Sequence, residues 1–144
     1  MVESTGLADP APVIHTLMSD RFLGHRFMLG GIVTTVDATN GLSTIEKHKE
    51  CEKQVAVADR IVITKTDIEN IEISRQGIDS LKVRISELNP TAQLCERHDV
   101  SFKFDNLFDT SLYNPISKTI NVRKWLNAEA FPVDDHHHHH HDHG

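Results

Sequence analysis

Long apolar runs are missing from this chain. No stretch of its 144 residues approaches the roughly 20 consecutive apolar residues of a membrane-spanning helix. The N-terminus, Met1-Val2-Glu3-Ser4-Thr5-Gly6, has no basic segment followed by an apolar core, so it does not read as a secretory signal. Basic charge is also in short supply. The net charge is −6, which argues against a general nucleic-acid binder, usually a basic protein. Cysteine is scarce: Cys51 and Cys95 stand far apart, and free thiols are expected rather than a disulfide framework. Hydrophobic residues make up 38% and charged residues 25%, the composition of a globular body of about one domain.

Histidine is abundant only locally. Seven of the 11 histidines fall in the last nine residues, as His136, His137, His138, His139, His140, His141 and His143. Residues 132–144 form a polar segment of low complexity, expected to be disordered. Neutral imidazoles bind zinc, nickel or copper. A flexible run sets no fixed geometry, so the segment suits loading or buffering. A purification tag and a native tail are both open; the flanking Asp134-Asp135 and Asp142-His143-Gly144 favour a native one.

The body alternates strands and helices. Asp9-Pro10 reads as a helix start, with Val13, Ile14, Leu17 and Met18 at helical spacing up to about residue 19. Gly30-Gly31 precedes a buried-strand candidate at 32–36. Ser43 or Thr44 can cap a helix whose inner face uses Ile45, Cys51 or His48, Val55 and Ala58. A second strand runs over 60–64, and residues 68–73 form a loop. Ser74 can cap a helix carrying Ile78, Leu81, Ile85 and Leu88, ended by Asn89-Pro90. A third strand spans 92–95. This order implies a parallel sheet covered by helices. Beyond residue 98 the pattern loosens. Ile120, Val122, Trp125 and Leu126 fit a last helix or a strand-like segment.

Chemistry-bearing residues cluster at one edge of this expected sheet. They are Glu3 and Gly6, Asp37, Thr64-Lys65-Thr66-Asp67, and Glu96-Arg97, each after a strand. In open α/β sheets that edge binds ligands. The stem of Lys65 can lie along a purine ring, and the Asp67 carboxylate can accept two N–H bonds from one edge of guanine. Adenine lacks that donor pair.

Glu3-Ser4-Thr5-Gly6-Leu7-Ala8-Asp9-Pro10 resembles the signature after the acidic strand of CobW-like P-loop GTPases. These are relatives of the nickel-insertion GTPases of urease and hydrogenase maturation. Val36-Asp37-Ala38, Gln54, Ala58-Asp59-Arg60, Thr64-Lys65-Thr66-Asp67 and Leu88-Asn89-Pro90 fit the same family in order. The resemblance implies an α/β fold: a partial parallel sheet with flanking helices, from a P-loop GTPase domain over residues 1–131, followed by the tail at 132–144. It implies a cytoplasmic GTP-hydrolysing metallochaperone delivering zinc, cobalt or a similar metal to a client metalloprotein, a function connected with processes such as cobalamin biosynthesis. Glu3 would lie near magnesium, acting through a bound water, and the Gly6 N–H would sense the γ-phosphate. Residues 4–9 would be the switch loop. Thr64, Lys65 and Asp67 would read guanine. Thr64 stands where the family usually has Asn, which weakens that reading. Glu96-Arg97 is a further base-contact candidate.

The Gly-x-x-x-x-Gly-Lys-Ser/Thr phosphate loop is missing from these residues, as is the family's Cys-x-Cys-Cys metal motif. Met1 is therefore expected to be a truncated or artificial start, and the chain alone is expected to hydrolyse little or no GTP. Residues 1–9 are expected to fray, and one sheet edge to be exposed and open to self-association. The competing reading is a non-enzymatic, histidine-tailed metal-binding or scaffold fragment.

Overall fold

A computed structural model describes residues 1–67, 75–108 and 113–130. Its centre is a three-stranded parallel sheet in the order β1 (Val33–Asp37), β2 (Arg60–Thr64), β3 (Gln93–Glu96). Asp37 pairs with Thr64, and Ile63 with Glu96, so the strand ends are level. Each strand lies within one residue of its expected place; in β1 and β2 the β-branched runs suit a pleated, covered surface.

The helices occupy the connections: α1 (Ala11–Ser19), α2 (Arg21–Arg26), α3 (Gly41–Lys47), α4 (Lys49–Val57), α5 (Arg75–Leu88), α6 (Asp105–Phe108) and α7 (Ile120–Ala130). Val36, Ile45, Val55, Ile61, Ile63, Leu81 and Ile85 form the main core between the sheet and α3, α4 and α5. A second cluster joins Ala11 and Ile14 of α1, Val57 of α4, Tyr113, and Val122 and Leu126 of α7.

Several expectations need correction. The helix read across 43–58 is two helices, broken at His48, whose backbone is extended (φ −125°, ψ 113°). In one straight helix Ile45 and Cys51 would sit about 120° apart around the axis at 100° per residue. The break lets both turn inward, and both are buried, while His48 is exposed. In α1, Ile14 is buried but Val13 and Met18 face outward. Asp9 acts as a cap, its Oδ1 accepting the Ala11 N–H at 2.9 Å. The open choice at 120–126 resolves to a helix, with Val122 and Leu126 on the inner side. The loop expected at 68–73, the Ser74 cap and the histidine tail lie outside the described residues.

Residues 5–9 do not fray. Ala8 N donates to Thr5 O at 3.1 Å, closing a turn. Cys51 Sγ donates to Gly6 O at 3.1 Å, and Gln54 Nε2 donates to Thr5 O and Ala8 O at 3.0 and 2.8 Å. Lys53 pairs with Asp9. One face of α4 thus fastens the loop. Val2 is exposed and belongs to none of the three strands.

β1 is an edge strand. Ile32 O accepts from Arg60 N, and Ala38 N donates to Thr64 O, so even-numbered residues bond toward β2. The N–H and C=O of Val33 and Thr35 therefore point away from the sheet. Their side chains are exposed too, Val33 at 39%, whereas Thr34 and Val36 are buried.

Candidate functional site

The level strand ends bring Asp37, Thr64, Lys65, Asp67, Glu96, Arg97 and His98 to one rim. Thr64 turns inward: its hydroxyl donates to Val36 O at 3.4 Å, a bond between strands rather than toward a ligand. Lys65 follows with φ 59°, the left-handed region that costs an L-residue about 1–2 kcal/mol. This backbone turn ends the strand and carries the lysine back across β1. Its Nζ donates to Asp37 Oδ2 at 2.5 Å. The other oxygen of Asp37 accepts the Thr39 N–H at 2.7 Å and the Thr39 hydroxyl at 2.6 Å. Burial works against the charge on Asp37, but the bonds from Lys65 and Thr39 outweigh it and hold the carboxyl below its ordinary value.

Asp67 lies two residues on, its Oδ1 at 2.9 Å from His98 Nε2. His98 stands just beyond β3 and was not singled out from the sequence; its position two residues past a strand end is the only signal that could have marked it. Glu96 and Arg97 do not pair with each other. Glu96 pairs with Lys82 of α5. The Arg97 guanidinium lies 5.1 and 4.6 Å from the ring centres of Phe102 and Phe104, which meet edge to face at 5.2 Å. Such a cation over aromatic faces is attracted by the ring quadrupoles.

Glu3 is exposed. Gly6 lies on the fastened loop and borders a cavity of about 280 Å³ that Asp37 also lines. The rest of that lining is mostly small or apolar, with Leu7, Val36, Ile45 and Val55 prominent. Burial, with the Glu50 charge nearby, pushes the Cys51 thiol up and keeps its proton available for Gly6 O. A second cavity of about 380 Å³ lies outside β3 and is lined by Arg60, Lys82, Glu96, Asp99, Phe102 and Lys103 among others. Neither cavity is lined by Lys65 or Asp67. Among the described residues no group of three or more His, Cys, Asp or Glu side chains could hold a metal ion. No helix among them is long and apolar enough to cross a membrane.

The family model for the CobW/HypB/UreG nucleotide-binding domain matches residues 1–96. The chain belongs to this family. Over 68 residues it is 40% identical to the zinc chaperone YjiA of Escherichia coli, covering 47% of this chain and 21% of that protein. It is 29% identical over 133 residues to the zinc-regulated GTPase metalloprotein activator 1 of Saccharomyces cerevisiae, covering 81% of this chain and 30% of that protein. The chain thus spans between a fifth and a third of these relatives' length. Among solved structures, it resembles the Zn(II)-bound YjiA GTPase from E. coli with a TM-score of 0.60 at 26% identity, covering 83% of this chain and 39% of that one. A Zn(II)-bound triple mutant of YjiA GTPase matches with a TM-score of 0.61 at 30% identity, covering 73% and 31%. The α/β architecture, with three parallel strands and flanking helices, is therefore that of the CobW/HypB/UreG nucleotide-binding domain.

Proposed function

We propose that the whole protein is a GTP-hydrolysing metallochaperone of the CobW type, acting in the cytoplasm and delivering zinc, cobalt or a similar metal to a client metalloprotein. Within it, Lys65 and Asp67 are the guanine-reading corner, and Thr64, its hydroxyl directed to Val36 O, anchors the strand end that carries them. The observation that carries this reading is Lys65, held in a left-handed conformation at the carboxyl edge of the central strand with Asp67 two residues on. Strained backbone of this kind clusters at ligand sites. Glu3 and Gly6 take the switch and catalytic roles in the whole protein. Magnesium and the triphosphate need a phosphate-loop lysine and hydroxyl beside the acidic residue. Of that set these residues contain Glu3 alone, so no magnesium-dependent step is assigned to this chain.

The 144-residue chain on its own is proposed to bind guanine nucleosides selectively and to turn over little or no GTP. Titration with GMP and AMP, followed by NMR shifts, tests the first part. Equal affinity for both would sink it. Turnover comparable to intact GTPases, measured as phosphate release, would sink the second. The free edge of β1 is proposed to support self-association, and a sedimentation profile that stays monomeric at high concentration would refute that.

The run His136 to His141 favours a second, non-enzymatic role as a metal-loading segment for zinc, cobalt or nickel. Zinc titration with and without residues 136–144 decides it, since unchanged affinity after deletion removes the tail from consideration.

A further inference from the structure

We infer that Asp37 is a positioning residue for guanine recognition, acting through Lys65. The inference rests on the guanine-corner reading of Lys65 and Asp67. Lysine carries a four-carbon stem with many rotamers, and ordering it on binding opposes affinity. Here the stem is aligned before any ligand arrives. Asp37 ends β1 directly opposite Thr64. Thr39 holds one of its oxygens through two bonds, which aims the other at the Lys65 ammonium. The left-handed backbone at Lys65 brings the side chain back to meet it. Asp37 and Lys65 thus set the face against which a purine ring would lie, while Asp67 supplies the carboxylate that reads its edge.

The two residues therefore have separable signatures. Ring-face contact does not depend on exocyclic groups, whereas Asp67 distinguishes guanine from hypoxanthine through the 2-amino donor. The experiment uses the 144-residue protein with GMP and IMP as probes, by NMR titration. Asp37→Asn keeps an acceptor for Thr39 and removes the charge facing Lys65. It should weaken GMP and IMP alike by about fivefold and leave their ratio unchanged. In a Lys65→Ala background it should have no further effect. Asp37→Ser, which also leaves a side-chain acceptor, serves as the second variant should the first fold poorly. Unaltered GMP affinity in Asp37→Asn, a collapse of the GMP/IMP ratio, or full additivity with Lys65→Ala would overturn the positioning role. A wild-type protein that does not prefer GMP to AMP would instead overturn the guanine-corner reading beneath it.

Discussion

Asn89 offers the sharpest test of what holds this sheet in register. It is 3% exposed and stands between the end of α5 and the start of β3. Its Nδ2 donates to the carbonyls of Val55, Ala56 and Ala58 at 2.9, 3.1 and 2.8 Å, at the end of α4 where a helix leaves carbonyls unpaired. Its Oδ1 accepts from Thr91 N, Thr91 Oγ1 and Ala92 N. Two N–H groups shared among three acceptors amount to about two net bonds. At about 1 kcal/mol each, plus about 1 kcal/mol for the cap that Oδ1 forms, Asn89→Ala should cost about 3 kcal/mol. Ala58 O keeps Lys118 Nζ and Val55 O keeps Ala58 N, which limits the loss. With a urea dependence of about 1.5 kcal/mol per molar, the midpoint should fall by about 2 M. Asn89→Asp should be worse, since a carboxylate would face carbonyl oxygens. Burial would raise its pKa in the folded state, so the variant's deficit relative to wild type should be smallest below about pH 3.9 and grow as pH rises through the folded value. Urea melts at low and neutral pH measure both effects. A midpoint within about 0.3 M of wild type for Asn89→Ala would refute the assignment of Asn89 as the tie between α4 and β3.

The backbone at Lys65 predicts an unusual order of stabilities. Lys65→Gly relieves the left-handed strain and should be about 1 kcal/mol more stable than Lys65→Ala; equal melting temperatures would contradict the strain. Tyr113 is the sole tyrosine of the chain, so its ionisation can be followed by absorbance at 295 nm. Burial, then the charge of Asp59, pushes it up to about 12. Its contribution to stability is present below pH 10 and should be lost as pH rises toward 12, and ionisation near 10 in a protein that still shows native circular dichroism would disprove the burial. Gln54→Ala releases the carbonyls of Thr5 and Ala8. Hydrogen exchange over residues 4–9 should accelerate with little change elsewhere, at a cost of about 1 kcal/mol, and unchanged exchange would show that Gln54 does not fasten the loop.

The strands were legible because β-branched runs at 32–36 and 60–64 are short and bounded by turn residues. The alternating order made the parallel sheet readable from its pattern. The break at His48 was not, since it follows from the need to bury both Ile45 and Cys51 against surfaces supplied by other elements. α2 is too short for its Phe22 and Leu23 to show a helical period, and Phe22 is exposed; the Asp20 carboxylate, accepting from Leu23 N at 2.8 Å, marks its start. Lys118 was equally invisible. A lysine in a polar stretch reads as solvated, yet it is 5% exposed, with Nζ at 2.6 Å from Asp59 and 2.9 Å from Ala58 O. Asp59 in turn accepts Ile32 N. The pair ties the segment before α7 to the starts of β1 and β2. At the site, the proximity of Lys65 to Asp67 follows from the sequence alone. The strand pattern already puts Asp37 at this rim, but its pairing with Lys65, and that of His98 with Asp67, joins neighbouring strands, so only the register reveals the pairs.

The cavity between the loop at 5–9 and β1 bears directly on the proposal that this chain reads the base without holding phosphates. It is lined by Gly6, Leu7, Val36, Ile45, Val55 and the anionic Asp37, among others, and no lysine or arginine lines it. A triphosphate brought there would meet apolar surface and the Asp37 carboxylate, and the nearby Lys65 ammonium is already paired with that carboxylate. The Gly6 carbonyl is already engaged by Cys51, and the loop by Gln54, so loop movement toward a phosphate would first have to break those bonds. The phosphates should therefore add almost nothing to affinity. Guanosine, GMP and GDP should bind within about threefold of one another, and added salt should change each constant little. Calorimetry or NMR titration across the three ligands measures this. GDP binding more than about tenfold tighter than guanosine, about 1.4 kcal/mol, would mean that some part of these 144 residues does hold phosphate, and the division between base reading and phosphate holding would fail.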